Sequence, residues 1–381
     1  MSLTGSVFVS LVVTSTIVGF VAVIILWPRL ARSGFRRILG RSGLLLGVNL
    51  LVLLSAATLL NAQFLFFADW TDLRGALGGK ASVTTLRRGE TAQGAAHRTI
   101  VGRAATSASV LPPLPTGRVS STGVIDYTVV GRLSRLKGEV MVQLPPGYLR
   151  SGDTTRYPVL ETFQGYPSSP AQWIRTMNLG GTMTTAIAAH KIRAALIVSP
   201  QVEFPAGADT ECVNGPAGSP QVETWLTEDV PNWVSHTFRV AVDRGSWATI
   251  GLSSGGWCAA MSAMLHPAQY SAAIVMRGYF RPEFGFAYRP FPVAGAQAAR
   301  YDLVSLARRT PPPVALWLET SHADPVSYQS SAAFLQATRS PLAVAATILQ
   351  NAGHRTGVWQ GLLPDSLAWL GANAPGFAVT T

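Results

Sequence analysis

The sequence predicts an α/β fold, a mostly parallel sheet covered by helices, preceded by two transmembrane helices. Three observations lead to this prediction: two long uncharged apolar runs near the N-terminus, short apolar strands alternating with helical stretches after about residue 120, and a glycine-rich turn joining one such strand to a helix. They divide the chain into a two-span anchor (1–70), a flexible linker (71–120), an α/β domain (121–373) and a C-terminal tail (374–381).

Each of the two apolar runs is long enough to cross a membrane. Ser6 to Trp27 is 22 residues without a charge, and Ser42 to Ala68 is 27, whereas about 20 apolar residues span a bilayer core. A cleaved signal peptide is the alternative for the first run. It fits less well, because no basic residue precedes the run and no clear small-residue cleavage site follows it.

The loop between the runs carries arginines and no acidic residue: Arg29, Arg32, Arg36, Arg37 and Arg41. The positive-inside rule places this loop in the cytoplasm. Both chain ends then lie outside, so we expect a multi-pass protein of the cell membrane with its large domain on the extracytoplasmic side. The net charge of +11 does not indicate nucleic-acid binding, because the excess is scattered and no recognition motif accompanies it.

Residues 71–120 are rich in Gly, Ser, Thr, Ala and Pro and end in a proline cluster at 111–115, which is typical of a tether. An antiparallel pair, Ile125–Val130 with Gly138–Leu144, is predicted to lead the α/β domain. Further apolar strands are predicted at Tyr157–Phe163, Ala194–Ser199, Trp247–Ile250, Ala272–Met276, Val314–Leu318 and Ala343–Leu349. The helical stretches are Ala171–Met177, Thr182–Ala189, Val222–Phe238 (broken or kinked at Pro231), the segment after Gly256, Tyr328–Ala337 and Val358–Leu370.

The turn at 251–256, Gly-Leu-Ser-Ser-Gly-Gly, has the G-x-S-x-G spacing of a nucleophile elbow. An apolar strand precedes it and a small-residue helix follows, which is the context that this motif requires. Ser253 is therefore the candidate nucleophile. The alternative is a chance match, because 36 of the 381 residues are glycine.

An activated serine needs a base, and an acid that orients the base. His354 follows the last predicted strand, where the base belongs in the order serine, acid, histidine; His322 is the alternative. Asp324, on the loop after the preceding strand, is the candidate acid. Glu319, at the end of that strand, is the alternative. It ranks behind Asp324 because a residue at a strand end can point into the sheet, whereas a loop carboxylate can reach back to the histidine.

Two backbone N–H groups are candidates for holding an oxyanion: those of Ser254, directly after the nucleophile, and of Tyr166, in a Gly-Tyr-Pro loop that follows an early strand. An ordinary β-turn is the alternative for the second loop. The two cysteines, Cys212 and Cys258, are candidates for a disulfide, since a lone pair outside the membrane pairs more often than it binds metal. Two buried thiols are the other possibility.

With these residues in place, the domain resembles the esterase D / mycolyltransferase-antigen family of α/β-hydrolases. Six segments carry the likeness: Tyr157-Pro158-Val159-Leu160, Gln164-Gly165-Tyr166-Pro167, the turn from Gly251 to Gly256, Glu319 to Asp324, Gly353-His354, and Leu363 to Leu367. The resemblance covers about 121–373 and implies the α/β-hydrolase fold, Ser253 as nucleophile, Asp324 as acid, His354 as base, and the N–H groups of Tyr166 and Ser254 for the oxyanion. It implies neither metal nor organic cofactor.

The sequence thus predicts a membrane-anchored extracytoplasmic serine esterase that acts on acyl esters, including lipid or glycolipid substrates, through an acyl-enzyme. An acyltransferase that moves the acyl group to a cell-envelope sugar or lipid uses the same residues and stays open. A catalytically silent binding module is the further alternative.

Overall fold

The computed structural model of the chain describes residues 3–31, 34–78, 85–91, 119–150, 152–285, 288–292 and 294–379. The chain forms two compact units, one of residues 1–84 with 350–358 and one of residues 85–349 with 359–381. The segment 350–358, which we predicted as part of the α/β domain, therefore groups with the N-terminal residues.

In the first unit, the two apolar runs form the helices α1 (Ser6–Leu30) and α2 (Phe35–Phe64), both long and apolar enough to cross a membrane. They pack against each other where Gly19 admits Leu51 and where Thr16 Oγ1 lies 2.7 Å from Ser55 Oγ. Small residues and hydroxyl pairs of this kind are typical of contacts between helices in lipid.

A third helix, α3 (Trp70–Leu77), follows α2 closely. Asp69 caps it by accepting a hydrogen bond from the Asp72 N–H at 2.7 Å. The strand β1 (Thr85–Thr91) pairs antiparallel with the last strand of the sheet. Residues 71–77 and 85–91 of the predicted linker thus form regular structure, and its residues 79–84 and 92–118 lie outside the described part of the chain.

The second unit is built on a sheet to which the described residues contribute nine strands, in the order β1-β9-β8-β7-β6-β4-β5-β3-β2. Strands β4 to β9 run parallel, and β2 and β3 form the predicted antiparallel pair at one edge. The strands are β2 (Val124–Val130), β3 (Lys137–Gln143), β4 (Val159–Phe163), β5 (Leu196–Pro200), β6 (Trp247–Leu252), β7 (Ala272–Met276), β8 (Ala315–Ser321) and β9 (Ala343–Leu349).

Helices connect the parallel strands, as expected of crossover connections, and the last helix, α11, follows β9. They are α4 (Leu179–Ala188), α5 (Val222–Thr224), α6 (Val230–Thr237), α7 (Ser254–Leu265), α8 (Ala296–Arg300), α9 (Leu303–Arg309), α10 (Pro325–Ala337) and α11 (Thr356–Asn373). A π-helical turn at Gln172–Thr176 precedes α4, and another at Trp225–Asp229 joins α5 to α6. Pro231 lies in the first turn of α6, where a missing N–H is tolerated.

Strands β4 to β8 are buried along their whole length, which explains why they read as continuous apolar runs. The predicted C-terminal tail also belongs to this unit. Phe377 is fully buried and its carbonyl oxygen accepts a hydrogen bond from the Arg193 N–H at 2.8 Å. The predicted tail is thus attached to this unit through Phe377, whose ring is buried.

Candidate active site

Ser253 lies on the turn between β6 and α7 with φ 56° and ψ −127°. A positive φ is strained for a residue with a side chain, and such strain concentrates at functional sites. The Ser253 N–H donates to the carbonyl oxygen of Met276 at 2.8 Å, which ties the turn to the end of the neighbouring strand β7. The strand, the strained serine and the helix together have the form of a nucleophile elbow.

The glycines around Ser253 are required by close backbone contacts. A Cβ on Gly251 would lie 1.8 Å from the carbonyl oxygen of Gly255, and one on Gly255 would lie 2.1 Å from that of Phe163. A Cβ on Gly256 would lie 2.9 Å from the Cα of Gly278. Helix α7 therefore begins directly against the ends of β4 and β7, with its N-terminal dipole directed at the turn.

A disulfide joins Cys212 to Cys258, the pair considered from the sequence, with a Cα–Cα distance of 5.7 Å. Cys258 lies in the first turns of α7, five residues after Ser253. Beside the bridge, the Trp257 indole N–H donates to the carbonyl oxygen of Glu211 at 2.8 Å. The loop around Cys212 is thus fixed to the helix that carries the elbow.

The loop after β4 approaches the elbow closely. A Cβ on Gly165 would lie 3.2 Å from the Cβ of Ser253. The next N–H, that of Tyr166, donates to Ser254 Oγ at 2.9 Å, and the Gly165 N–H donates to the side chain of Gln172 at 2.9 Å. The Tyr166 N–H predicted for the oxyanion therefore has the Ser254 hydroxyl as its partner in this structure.

The loop at 207–212 also borders Tyr166, whose hydroxyl donates to the carbonyl oxygen of Gly207 at 3.2 Å. Burial raises the pKa of Asp209 in this loop to about 6. Burial also raises the pKa of Glu211, which accepts a hydrogen bond from the Tyr279 hydroxyl. Two carboxyl groups that hold protons more tightly than usual therefore lie in the loop that Tyr166 contacts.

The two candidate acids have different surroundings. Glu319 is fully buried in β8 and accepts a hydrogen bond from Arg277 Nε at 2.9 Å. Asp324 caps α10, accepting from the Ser327 N–H at 3.2 Å, and its Oδ2 lies 3.7 Å from Arg277 Nη1. Glu319 is thus committed to an ion pair inside the fold, whereas Asp324 lies on the loop that follows the carboxyl end of β8.

Sequence reasoning missed Arg277, which touches both carboxylates. It directly follows β7, has φ 51°, and its N–H donates to the Glu319 carbonyl oxygen at 2.9 Å. A charged residue at the end of the apolar run Ala272–Met276 was a visible signal. The pairing of Arg277 could not be predicted, because its partners lie on β8 and on the loop that follows β8.

His354 lies in the loop between β9 and α11. That loop belongs to the first unit. Within the second unit, β6 and β8 both run parallel to β7, so Ser253 and Asp324 follow strand ends at the same edge of the sheet. The other histidine considered, His322, is exposed and its ring contacts the Tyr328 ring at 4.0 Å between centroids, tilted by 39°.

Three other histidines in the described part of the chain have local partners or positions that need no catalytic role. His266 ends α7 and lies 2.7 Å from a buried Glu223 oxygen. His236 contacts the Asn232 carbonyl oxygen within α6 at 2.7 Å, and His190 follows the end of α4. His97 lies outside the described residues.

A family model named Esterase, with the description "Putative esterase", matches residues 135–371. The chain belongs to this family. The match covers the sheet from β3 onward and all three candidate residues Ser253, Asp324 and His354. It supports an ester hydrolase of the α/β-hydrolase fold.

Solved structures with the same fold cover about two thirds of this chain. A ferulic acid esterase is 19% identical with a TM-score of 0.54, covering 67% of this chain and 97% of its own. An S-formylglutathione hydrolase from Agrobacterium tumefaciens is 14% identical with a TM-score of 0.51, covering 69% and 100%. A fluorophosphonate-binding serine hydrolase from Staphylococcus aureus is 14% identical with a TM-score of 0.51, covering 65% and 97%. At these identities the likeness concerns the fold.

A curated relative, an uncharacterized protein of Corynebacterium glutamicum, is 31% identical over 168 residues. The matched stretch is 44% of this chain and 38% of that protein, so this chain spans well under half the length of the relative it matches.

Proposed function

We propose that this protein is a membrane-anchored serine esterase that cleaves acyl esters through an acyl-enzyme on Ser253. The observation that carries the proposal is the φ of 56° at Ser253, on a strand-to-helix turn enclosed by glycines, in a chain of the Esterase family. Strain of this kind persists only where surrounding contacts enforce it, and its effect here is to lift the hydroxyl away from the sheet.

In the proposed reaction, His354 removes the proton from Ser253 Oγ as the oxygen bonds to the ester carbonyl carbon. The carbonyl π electrons move to oxygen, and the oxyanion is held by the N–H groups of Ser254 and Tyr166. When the tetrahedral intermediate collapses, the C–O bond to the alcohol breaks and His354 returns the proton to the departing oxygen. Water repeats the sequence on the acyl-enzyme and releases the acid, and Asp324 orients the imidazole throughout.

The contact between Tyr166 and Ser254 bears on the oxyanion step. While the Ser254 hydroxyl accepts the Tyr166 N–H at 2.9 Å, its own hydrogen can point to another acceptor. We therefore assign the hydroxyl a place as an oxyanion donor while it holds the Tyr166 N–H, which otherwise donates to the oxyanion itself. Removal of one such donor typically lowers kcat by about 10²-fold or more, so Ser254→Ala is expected to lower kcat rather than KM.

The membrane anchor in this proposal is supported by the surface of α1 and α2. Large apolar side chains point outward around both helices, among them Ile24 (72% exposed) and Leu46 (70%). Such surfaces are costly in water and are normal for helices in lipid. The arginines at the adjoining ends of the two helices, such as Arg29 and Arg36, favour a topology with the second unit outside the cell, and a disulfide is consistent with that oxidising side.

The proposal is tested on the full chain in detergent, with a short acyl ester and a fluorophosphonate probe. We expect probe label on the peptide that contains Ser253, and no label or turnover in Ser253→Ala. His354→Ala should also lose turnover, whereas His322→Ala, which removes the exposed alternative base, should keep it. An unlabelled wild type, or equal labelling of Ser253→Ala, contradicts the proposal.

Adding trehalose or another glycan acceptor to the same reaction separates hydrolysis from transfer. Free acid as the main product supports the esterase. Acylated acceptor in excess of free acid would show that the natural second nucleophile is a sugar hydroxyl, on the same Ser253 acyl-enzyme.

A further inference from the structure

The loop that carries His354 is held from both sides by the residues that directly follow the second apolar helix. All of these contacts lie within the first unit. The His354 N–H donates to the carbonyl oxygen of Leu65 at 2.6 Å, and Leu65 is the residue that ends α2. The backbone of the candidate base is therefore hydrogen-bonded to the end of a membrane-type helix.

Asp72, in the first turn of α3, makes the central contact. Only 4% of its surface is exposed. Its carboxylate forms an ion pair with both terminal nitrogens of the Arg355 guanidinium and accepts the Gly353 N–H at 3.1 Å. The residues immediately before and after His354 thus share one buried carboxylate, and a buried bidentate pair gives geometric precision as well as energy.

Gly353 brings the loop into direct backbone contact with the same segment. A Cβ at this position would lie 2.1 Å from the carbonyl oxygen of Phe66, so no larger residue fits without a shift. On the other side of His354, the Arg355 guanidinium lies over the Phe67 ring at 5.3 Å, and Asn351 pairs with Asp69. The loop is held at each residue from 353 to 355.

The segment that holds the loop is itself fixed. Asn61, in the last turn of α2 and 6% exposed, accepts the Phe67 N–H at 2.7 Å and donates to the Phe67 carbonyl oxygen at 3.1 Å. The Ala68 N–H donates to Asp72 at 3.0 Å. Asn61 is a polar residue within the second apolar run, and its role here is to fix the exit from the helix.

We propose that Asp72 is a positioning residue for His354, and that the anchor's exit segment (Leu65 to Asp72) is part of the catalytic machinery rather than a tether. The inference rests on the proposed function, since His354 is the base only if the protein is a serine hydrolase. Displacement of a catalytic group by about 1 Å can lower the rate about 100-fold. Loss of the Asp72 contacts should therefore lower kcat through the position of His354, although Asp72 itself does not contact substrate.

The test compares Asp72→Asn with Arg74→Gln in the full chain in detergent. Arg74 lies on the same helix with its side chain exposed, so it controls for any change to α3. For Asp72→Asn we expect kcat to fall about 10- to 100-fold, with KM unchanged and a shifted pH profile of kcat/KM. Arg74→Gln should match wild type, and Asp72→Glu should recover part of the loss.

A second readout does not depend on turnover. Modification of His354 by diethyl pyrocarbonate, followed by mass spectrometry, should be several-fold faster in Asp72→Asn than in Arg74→Gln. The inference is overturned if Asp72→Asn has the kcat, the pH profile and the His354 reactivity of the wild type. In that case, labelling of Ser253 would still support the esterase. If wild type shows no Ser253 labelling, the proposed function fails. The positioning role then fails with it, and the modification rate alone decides whether Asp72 holds the loop.

Discussion

Arg277 donates a hydrogen bond from Nε to Glu319 Oε1 at 2.9 Å, and neither side chain has any surface in contact with solvent. The pair joins the residue after β7 to Glu319 near the end of β8, five residues before Asp324. A buried charge that loses its partner is strongly destabilising, usually by about 3–5 kcal/mol. Glu319 is fully buried in this pair, whereas Asp324 lies on the loop after β8. The pair therefore distinguishes the two carboxylates that the sequence offered as the catalytic acid.

We expect Glu319→Gln to lower stability by about 3–5 kcal/mol while the folded fraction keeps most of its turnover. Asp324→Asn should do the opposite, with a small change in melting temperature and a loss of about 10⁴-fold in kcat, because the histidine loses its orienting carboxylate. Thermal melts and active-site titration with a fluorophosphonate measure the two effects separately. A folded Glu319→Gln variant as inactive as Asp324→Asn would make Glu319 the acid.

Gly255→Ala should prevent helix α7 from reaching the sheet, since the new Cβ would lie 2.1 Å from the Phe163 carbonyl oxygen. Overpacking against backbone costs about 1–3 kcal/mol or more, and we expect a lower melting temperature with loss of Ser253 labelling. Gly361→Ala is the matched control, because nothing lies within 4 Å of a Cβ in that position of α11. There the helix should gain up to about 1 kcal/mol, and equal effects of the two substitutions would contradict the packing argument.

Breaking the bridge between Cys212 and Cys258 should destabilise the second unit. The cysteines are 46 residues apart, and closure of a loop of that size restricts the unfolded chain by about 4 kcal/mol in the chain-entropy model. We expect the wild-type melting temperature to drop in reductant, and the double variant Cys212→Ala, Cys258→Ala to melt low in either condition. A wild type whose melting is insensitive to a reductant that demonstrably opens the bridge would refute this.

Glu161 should make stability depend on pH. It is fully buried in β4, where burial raises its pKa to about 8 although the Tyr270 hydroxyl donates to it at 2.7 Å. The folded state holds the Glu161 proton more tightly than the unfolded state, so binding of this proton stabilises the fold. The stabilisation is fully present below about pH 4.5 and is lost as pH rises through 8. Glu161→Gln removes the titration, so its melting temperature relative to wild type should rise by several degrees between about pH 5 and pH 9. A constant difference across that range would show that Glu161 does not titrate in this way.

Much of the second unit could be read from the sequence because its signals are local. Strands β7 and β9 have the predicted boundaries, since each is an apolar run bounded by polar residues or turns. The elbow at Ser253 is equally local, because a strand, a G-x-S-x-G turn and a helix are consecutive in the chain. The two apolar helices follow from the length of their uncharged runs.

The tertiary structure decided the relationships between residues that are far apart in sequence. In the folded chain, Arg277 donates a hydrogen bond to Glu319, and the Tyr166 N–H donates to the Ser254 hydroxyl. The Gly353 N–H donates to Asp72, which lies 281 residues earlier in the sequence. No periodicity records such contacts, because each depends on which strand ends and helix ends the fold brings together. The sequence by itself therefore determined the fold class and the candidate nucleophile, whereas packing between distant segments determined which side chains surround the predicted acid and hold the loop of the predicted base.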